Sequence, residues 1–216
     1  AYLQNEYNLN PENTFASGMS NGAEMSYMLA CFAGDKFKAI APVAGTMFGE
    51  SWTNCSPQTT PVLEIHGTND NVTLWDGDPN DTYWGPYPGM DEVIEFWVDI
   101  DGCDNSENIL LSNMNTIKHR YYDCIDNTEI WLYEVVNGGH DWPSYSSQEI
   151  WNFFTHFIDS SNADINSDGQ INVADVVVLV SMVLGTVDVS TNADLNADGL
   201  VNVQDVIILI NIILGV

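Results

Sequence analysis

Between Asp164 and Asp205 the chain carries one twelve-residue pattern twice, Asp-x-Asn-x-Asp-Gly-x-[Ile/Val]-Asn-Val-x-Asp, over residues 164–175 and again over 194–205. A calcium loop needs oxygen donors at positions 1, 3, 5, 9 and 12, a backbone carbonyl at 7, and a glycine at 6 where the chain turns sharply. Both copies meet each demand. The expected ligands are Asp164, Asn166, Asp168, Asn172 and Asp175 with the carbonyl of Gln170, and Asp194, Asn196, Asp198, Asn202 and Asp205 with the carbonyl of Leu200. Two structural calcium ions are therefore expected, one per loop. Asx-rich turns that merely cap two helices are the competing account, but they give no reason for the whole spacing to recur.

Position 12 is Asp instead of the Glu of ordinary EF-hands, and each loop runs into a single apolar helix, expected over 176–184 and 206–214, with no entering helix. On these residues the tail, roughly 162–216, resembles a dockerin domain. The resemblance implies a small all-α unit in which two loop-helix repeats pack together and dock onto a cohesin-bearing scaffold or surface protein. It also implies that partner choice is read at loop positions 10 and 11, here Val173 and Ala174, then Val203 and Gln204. Many dockerins carry hydroxyl residues there, and this chain does not. The second helix is apolar enough to raise the question of membrane insertion, but it is too short to span a bilayer.

The rest of the chain has room for one mid-sized domain, expected over 1–160, joined by a short polar linker at 160–162 to the tail domain at 163–216. Against 31 acidic residues stand 4 Lys and Arg, a formal charge of −27, which argues against nucleic acid or an anionic membrane as partner. Cys31, Cys55, Cys103 and Cys124 show no Cys-x-x-Cys spacing, so two disulfides are a better reading than zinc or a redox pair. Disulfides and calcium loops together point to a secreted, extracellular protein. No signal peptide is visible, but the chain starts with a helix-like stretch, Ala1 to Tyr7, and not with an initiator Met and an apolar run, so that absence carries no information.

Short apolar runs alternate with helical stretches through the first domain, the pattern of an α/β fold in which helices cover a parallel sheet. Strands are expected over 13–17, 37–43, 61–65 and 128–135, and helices over 23–33, 90–99 and 147–159. On the first strand-to-helix turn lies Gly18-Met-Ser-Asn-Gly22, a Gly-x-Ser-x-Gly elbow whose glycines let the chain turn tightly enough to expose the Ser20 hydroxyl. Ser20 is the candidate nucleophile. Asp70 leaves the end of the strand at 61–65, where an open α/β sheet places its active-site groups, and is the candidate acid. Asp76, Asp78 and Asp81 are rivals in the same loop. His140, in the Gly-rich Asn137-Gly-Gly-His-Asp-Trp-Pro143, is the candidate base, and the order Ser, Asp, His is that of α/β-hydrolases. His66, His119 in an expected edge segment, and His156 on a helix read as structural.

These same segments, with Ala41-Pro-Val-Ala-Gly45 and His66-Gly-Thr-Asn-Asp70, look like the secreted esterase family of feruloyl esterases, acetylxylan esterases and polyhydroxyalkanoate depolymerases, over roughly 1–158. The resemblance implies a serine esterase with the triad Ser20, Asp70 and His140 and needing no catalytic cofactor, and disulfides Cys31–Cys55 and Cys103–Cys124. Ala23 departs from the family, which usually has a glycine there. Only 19 residues precede Ser20, too few for the strands and the oxyanion loop that normally come first, so the chain is expected to be an N-terminally truncated piece holding a partial α/β-hydrolase sheet. The Asn21 N–H would supply one oxyanion donor. Trp142, within the His140 motif, is a candidate substrate contact, while Trp75, Tyr83, Trp84 and Tyr87 read as loop packing. Together with the tail, the resemblance implies removal of feruloyl or acetyl groups from plant-type polysaccharide. A polyester substrate, a serine peptidase, or a non-catalytic assembly module are the alternatives.

Overall fold

The computed structural model describes residues 6, 13–112, 114–158, 163–196 and 198–214. The helix-like stretch expected at the start, apart from Glu6, and the linker at 160–162 lie outside the described residues. Two compact units are present, one over Thr14–Trp151 and one containing the tail from Asn152 onward.

The parallel strands of the first unit form where apolar runs are short enough to be bounded by turns. β1 (Phe15–Met19), β2 (Ala39–Val43) and β3 (Val62–Gly67) are followed by β4 (Asn105–Leu111), β5 (Thr116–Tyr122) and β6 (Ile130–Val135). Every residue of β2 and β3 is buried, as parallel strands covered on both faces require. The sheet order is β1-β2-β3-β6-β5-β4. β1, β2, β3 and β6 run parallel, and β5 and β4 add an antiparallel hairpin to one side. This hairpin is absent from the sequence expectation. His119 correspondingly lies in β5, between β6 and β4, and not at the sheet edge.

The helices are α1 (Asn21–Ala33), α2 (Glu50–Thr53), α3 (Met90–Asp101), α4 (Ser146–His156), α5 (Val173–Val183) and α6 (Val203–Leu214). Tyr27 and Ala30 of α1 and Val93, Ile94 and Trp97 of α3 meet Ile40, Val62, Ile130 and Leu132 of the sheet in one buried core. Cys31 at the end of α1 bonds to Cys55, and Cys103 before β4 bonds to Cys124 after β5, the pairing that the esterase resemblance implies.

In the tail, α5 and α6 pack through Leu179, Met182, Val206, Ile208 and Leu209, with Ala163, Ile165, Ala193 and Leu195 from the loops. Both helices begin three residues earlier than expected, so Val173, Ala174, Val203 and Gln204 belong to their first turns. Not all of the apolar surface is used internally. Val173, Val177 and Leu184 on α5 and its C-terminus, and Val203, Ile207 and Leu214 on α6, remain exposed at equivalent places of the two repeats. No helix among the described residues is long and apolar enough to cross a membrane.

Candidate functional site

β1 ends at Met19 and α1 begins at Asn21, so the whole reversal falls on Ser20, whose φ of 56° and ψ of −117° are unusual for any residue with a side chain. Such a conformation costs about 1–3 kcal/mol and persists only where its surroundings enforce it. Here the Ser20 N–H donates to Val43 O (2.9 Å), and the Ser20 carbonyl accepts from the N–H groups of Ala23 (2.9 Å) and Glu24 (3.1 Å). A side chain at Gly18 would come within 2.7 Å of the Gly22 backbone, so the elbow closes only with glycine there. Ala23 is fully buried, and a Cβ on Gly45 would fall 2.3 Å from its methyl group. The departure at Ala23 is thus accommodated by the absence of a side chain opposite. Asn21 opens α1, so its N–H is one of those that a helix leaves without an intrahelical partner.

Asp70 leaves β3 in a tight turn and is buried. Its Oδ1 accepts from the N–H groups of Val72 (2.8 Å) and Thr73 (2.9 Å), and its Oδ2 lies 2.8 Å from His140 Nδ1. A carboxylate only accepts, so Nδ1 carries the proton and Nε2 is left as the basic nitrogen. The His140 loop reaches this position because β3 ends in glycine. A Cβ on Gly67 would meet Gly138 O at 2.4 Å. Asp70 and His140 are therefore brought together as the sequence order anticipates. Ser20 stands at the same C-terminal edge of the parallel strands, but among the described residues no hydrogen bond joins it to His140. Catalytic hydrogen bonds are often long in an unliganded enzyme and tighten only around substrate.

The rival carboxylates are engaged elsewhere or lack the partner. Asp78 Oδ1 accepts from Asn80 N–H (2.8 Å), and Asp81 Oδ1 from Tyr83, Trp84 and Gly85 N–H groups (2.9, 2.6 and 3.1 Å), so both shape the loop. Asp76 makes no ion pair among the described residues. Of the loop aromatics, Trp75 packs against the core and Tyr87 is buried with its hydroxyl oxygen accepting from Leu74 N–H. Trp84 packs within the loop region, its ring 5.9 Å from that of Phe48 and 5.1 Å from that of Tyr83, while Tyr83 has this one ring contact among the described residues and is otherwise 84% exposed. Trp142 is 39% exposed and its indole N–H donates to Ser147 Oγ at 3.3 Å. A cavity of about 290 Å³ beside the His140 loop is lined by Gly67, Gly138, Gly139, Asp141 and Tyr145.

Beneath Asp70 lies a buried polar chain that the sequence reading missed. Tyr27 Oη donates to Glu64 Oε2 (2.9 Å), Glu64 Oε1 is 3.0 Å from His66 Nδ1, and His66 Nε2 is 2.9 Å from Thr73 O and 3.6 Å from Asp70 Oδ2. Burial pushes the Glu64 carboxyl up, against the lowering effect of His66, Tyr27 and the Gly45 N–H. For His66, burial opposes the charged ring, but the hydrogen bond and charge of Glu64 outweigh it and the pKa rises. The signal was present in the sequence, a Glu inside the apolar run of β3 with a His two residues on, hence on the same face. His119 makes a surface pair with Glu134 (2.8 Å) and Asn108 (3.0 Å).

In the tail, Asp164 accepts from Asp168 and Gly169 N–H groups (3.1 and 2.9 Å), and Asp194 likewise from Asp198 and Gly199 (3.1 and 2.8 Å). Asn166 Oδ1 accepts from Asp168 N–H, and Asn196 Oδ1 from Asp198 N–H. Gly169 and Gly199 have φ of 84° and 86°, the left-handed turn that position 6 requires. The Asp175 and Asp205 carboxylates are fully buried and accept from Asn172 N–H and Asn202 N–H, each at 2.8 Å. Those two asparagines accept in turn from Ala174 and Gln204 N–H groups, so they cap α5 and α6. The position-7 carbonyls of Gln170 and Leu200 receive the Asn172 and Asn202 amides at 3.5 and 3.3 Å. Among the described residues no cluster of three or more His, Cys, Asp and Glu by itself makes a metal centre. The donor set of each loop is instead a mixture of carboxylate, amide and carbonyl oxygens, which suits a hard cation with an oxygen shell.

Residues 162–214 match the family model for the dockerin type I domain. The chain is also similar to feruloyl esterase B of Piromyces equi, 26% identical over 138 residues, covering 61% of this chain and 25% of that protein. It is 22% identical over 176 residues to a bifunctional acetylxylan esterase/xylanase of Neocallimastix patriciarum, covering 79% of this chain and 24% of that protein. Over a shorter stretch of 101 residues it is 37% identical to a probable feruloyl esterase C of Aspergillus terreus, covering 46% of this chain and 32% of that protein. The chain thus spans about a quarter to a third of the length of these relatives. Among solved structures, an acetyl xylan esterase from Aspergillus awamori matches with a TM-score of 0.48 at 16% identity, over 70% of this chain and 63% of that one, too loose a likeness to argue from. By sequence, then, this chain joins a feruloyl and acetylxylan esterase-like region to a tail that matches dockerin type I domains.

Proposed function

We propose that the protein is a secreted serine carboxylic-ester hydrolase that removes feruloyl or acetyl groups from plant-type polysaccharide, held near its substrate by a calcium-dependent dockerin tail. The observation that carries this reading is the 2.8 Å bond between buried Asp70 Oδ2 and His140 Nδ1, at the sheet edge where the strained Ser20 elbow also lies. Ser20 Oγ attacks the ester carbonyl as His140 Nε2 takes its proton, and the same proton passes to the leaving alcohol. Asp70 keeps the imidazole in the tautomer that leaves Nε2 free. The Asn21 N–H stabilises the oxyanion, and water, activated by His140, then releases the acid. Trp142, two residues on from His140 and 39% exposed, supports a place for acyl or sugar groups, whereas the cavity lined by Gly67, Gly138 and Tyr145 touches neither Ser20 nor His140 and carries no part of this reading.

In the tail, Asp164, Asn166, Asp168, Gln170, Asn172 and Asp175 hold one calcium ion, and Asp194, Asn196, Asp198, Leu200, Asn202 and Asp205 a second. The ions fix the loops and supply no chemistry to the reaction. The exposed apolar residues of α5 and α6 support docking to a cohesin-bearing partner, which would cover them. We place the domain boundary in the segment 160–162.

The test is intact-mass labelling in calcium with an activated phosphonate that captures nucleophilic serines. One adduct is expected, absent in Ser20→Ala. No adduct on the parent chain would mean that these residues do not assemble a working nucleophile.

A further inference from the structure

Asp70 is held by two backbone N–H groups and by His140, and is flanked by the imidazole of His66, a residue that the sequence reading takes as structural. His66 has no exposed surface, and its two nitrogens face only acceptors, Glu64 Oε1 at 3.0 Å and the Thr73 carbonyl at 2.9 Å. A carbonyl cannot donate, so Nε2 carries a proton. Glu64, itself fully buried, already accepts from Tyr27 Oη. One further proton is shared between Glu64 Oε1 and His66 Nδ1, and wherever it resides the pair has no net charge. An isolated ion at this depth would be far more expensive.

The arrangement does two things for the pair above it. Through Nε2–H it fixes the Thr73 carbonyl, and Thr73 N–H is one of the donors that fix Asp70 Oδ1 (2.9 Å). It also sets a proton-bearing ring edge 3.6 Å from Asp70 Oδ2, the oxygen that faces His140. Tyr27 links the same chain to α1, the helix that starts at the Ser20 elbow.

We propose that His66, paired with Glu64 and braced by Tyr27, is a positioning residue that holds the Asp70 carboxylate against His140. This rests on the serine-esterase reading for its functional meaning, though not for its structural content. His66 does not touch substrate; it acts through Asp70.

Two readouts on the full chain in calcium test it. In proton NMR, the hydrogen in the Asp70–His140 bond should give a far-downfield resonance, identified by its loss in His140→Gln. His66→Gln keeps an amide donor of similar reach but loses the shared proton, and should shift or broaden that resonance. It should also slow phosphonate labelling of Ser20 by up to about a hundredfold, since a misplacement of about 1 Å at a reacting centre can cost that much, with the reagent's apparent binding constant unchanged. Glu64→Gln should do the same in weaker form, and serves if His66→Gln does not fold. A resonance and a labelling rate unchanged in a folded variant would overturn the proposal. If the parent shows the resonance but no labelling, the esterase reading fails for this chain while the NMR arm still decides the positioning role.

Discussion

The two units solve the same problem, holding carboxylates in fixed places, by opposite means. In the tail each set of candidate ligands comes from twelve consecutive residues, and the carboxylates are oriented by N–H groups of their own loop. In the first unit Asp70 meets His140 across 70 residues of chain, and the meeting depends on β3 and β6 pairing in register, with Gly67 opposite Val135. A site written locally can depend on an ion for its order. A site assembled from distant strands needs a core, and here two disulfides as well.

Chelation is the strongest way to break this comparison. Removing calcium should unfold the tail, with a clear loss of helical circular dichroism from α5 and α6, while the first unit keeps its near-ultraviolet signal from Trp97 and Tyr27. Equal loss in both regions would show that they are not independent, and no loss in the tail would sink the calcium reading.

A response confined to the first unit sharpens the contrast. Asp101 is fully buried, its Oδ1 accepts from Thr60 N–H (3.1 Å), and among the described residues its Oδ2 has no hydrogen-bond partner, so only Thr60 and the nearby Thr128 side chain favour its charged form. Burial pushes its pKa from 3.8 to about 6. A raised folded-state value means that the fold favours the protonated form, so this stability is fully present below about pH 4 and is lost as pH rises through about 6. Asp101→Asn should therefore outlast the parent at pH 8 by up to roughly 3 kcal/mol, since a tenfold change in proton affinity is worth about 1.4 kcal/mol. The gap should close by pH 4 in paired thermal melts. A pH-independent gap would assign the effect to packing and not to charge.

The smallest expected effect is at the elbow. Ser20→Gly removes a side chain from a left-handed conformation and should raise stability by about 1 kcal/mol while abolishing labelling. A drop in stability would mean that Ser20 is not strained.

What was legible in the sequence follows the same division. β3, α1 and α3 lie close to their expected bounds because apolar periodicity and burial agree there. The β4 and β5 hairpin escaped because its residues are matched by charge across strands more than by burial. Glu107 faces Arg120 in the ladder, and Arg120 also binds Glu129 at 2.6 and 2.7 Å. Asn-Ser-Glu-Asn-Ile-Leu-Leu, as β4, alternates too poorly to announce a strand. The helix starts at Val173 and Val203 were missed by counting the loop to its twelfth residue, although the asparagine caps at 172 and 202 already begin the helical turn. Of the candidate site, Asp70 and His140 were readable from order and turn chemistry. The Tyr27, Glu64 and His66 chain was legible only in part: Glu64 and His66 stand two apart within the apolar run of β3, but only the folded sheet brings Tyr27 of α1 to Glu64.

The aspartates at 175 and 205 do double duty. Each carboxylate closes its loop and also receives the N–H of the residue that caps the following helix. With the proposed ions in place, filling the loop and starting the helix become a single event. The tail would then behave as a gauge of its surroundings, gaining stability with the logarithm of free calcium. It would be loose where the ion is scarce and set hard where it is plentiful, so that the moment of any anchoring would be chosen by the medium and not by the protein.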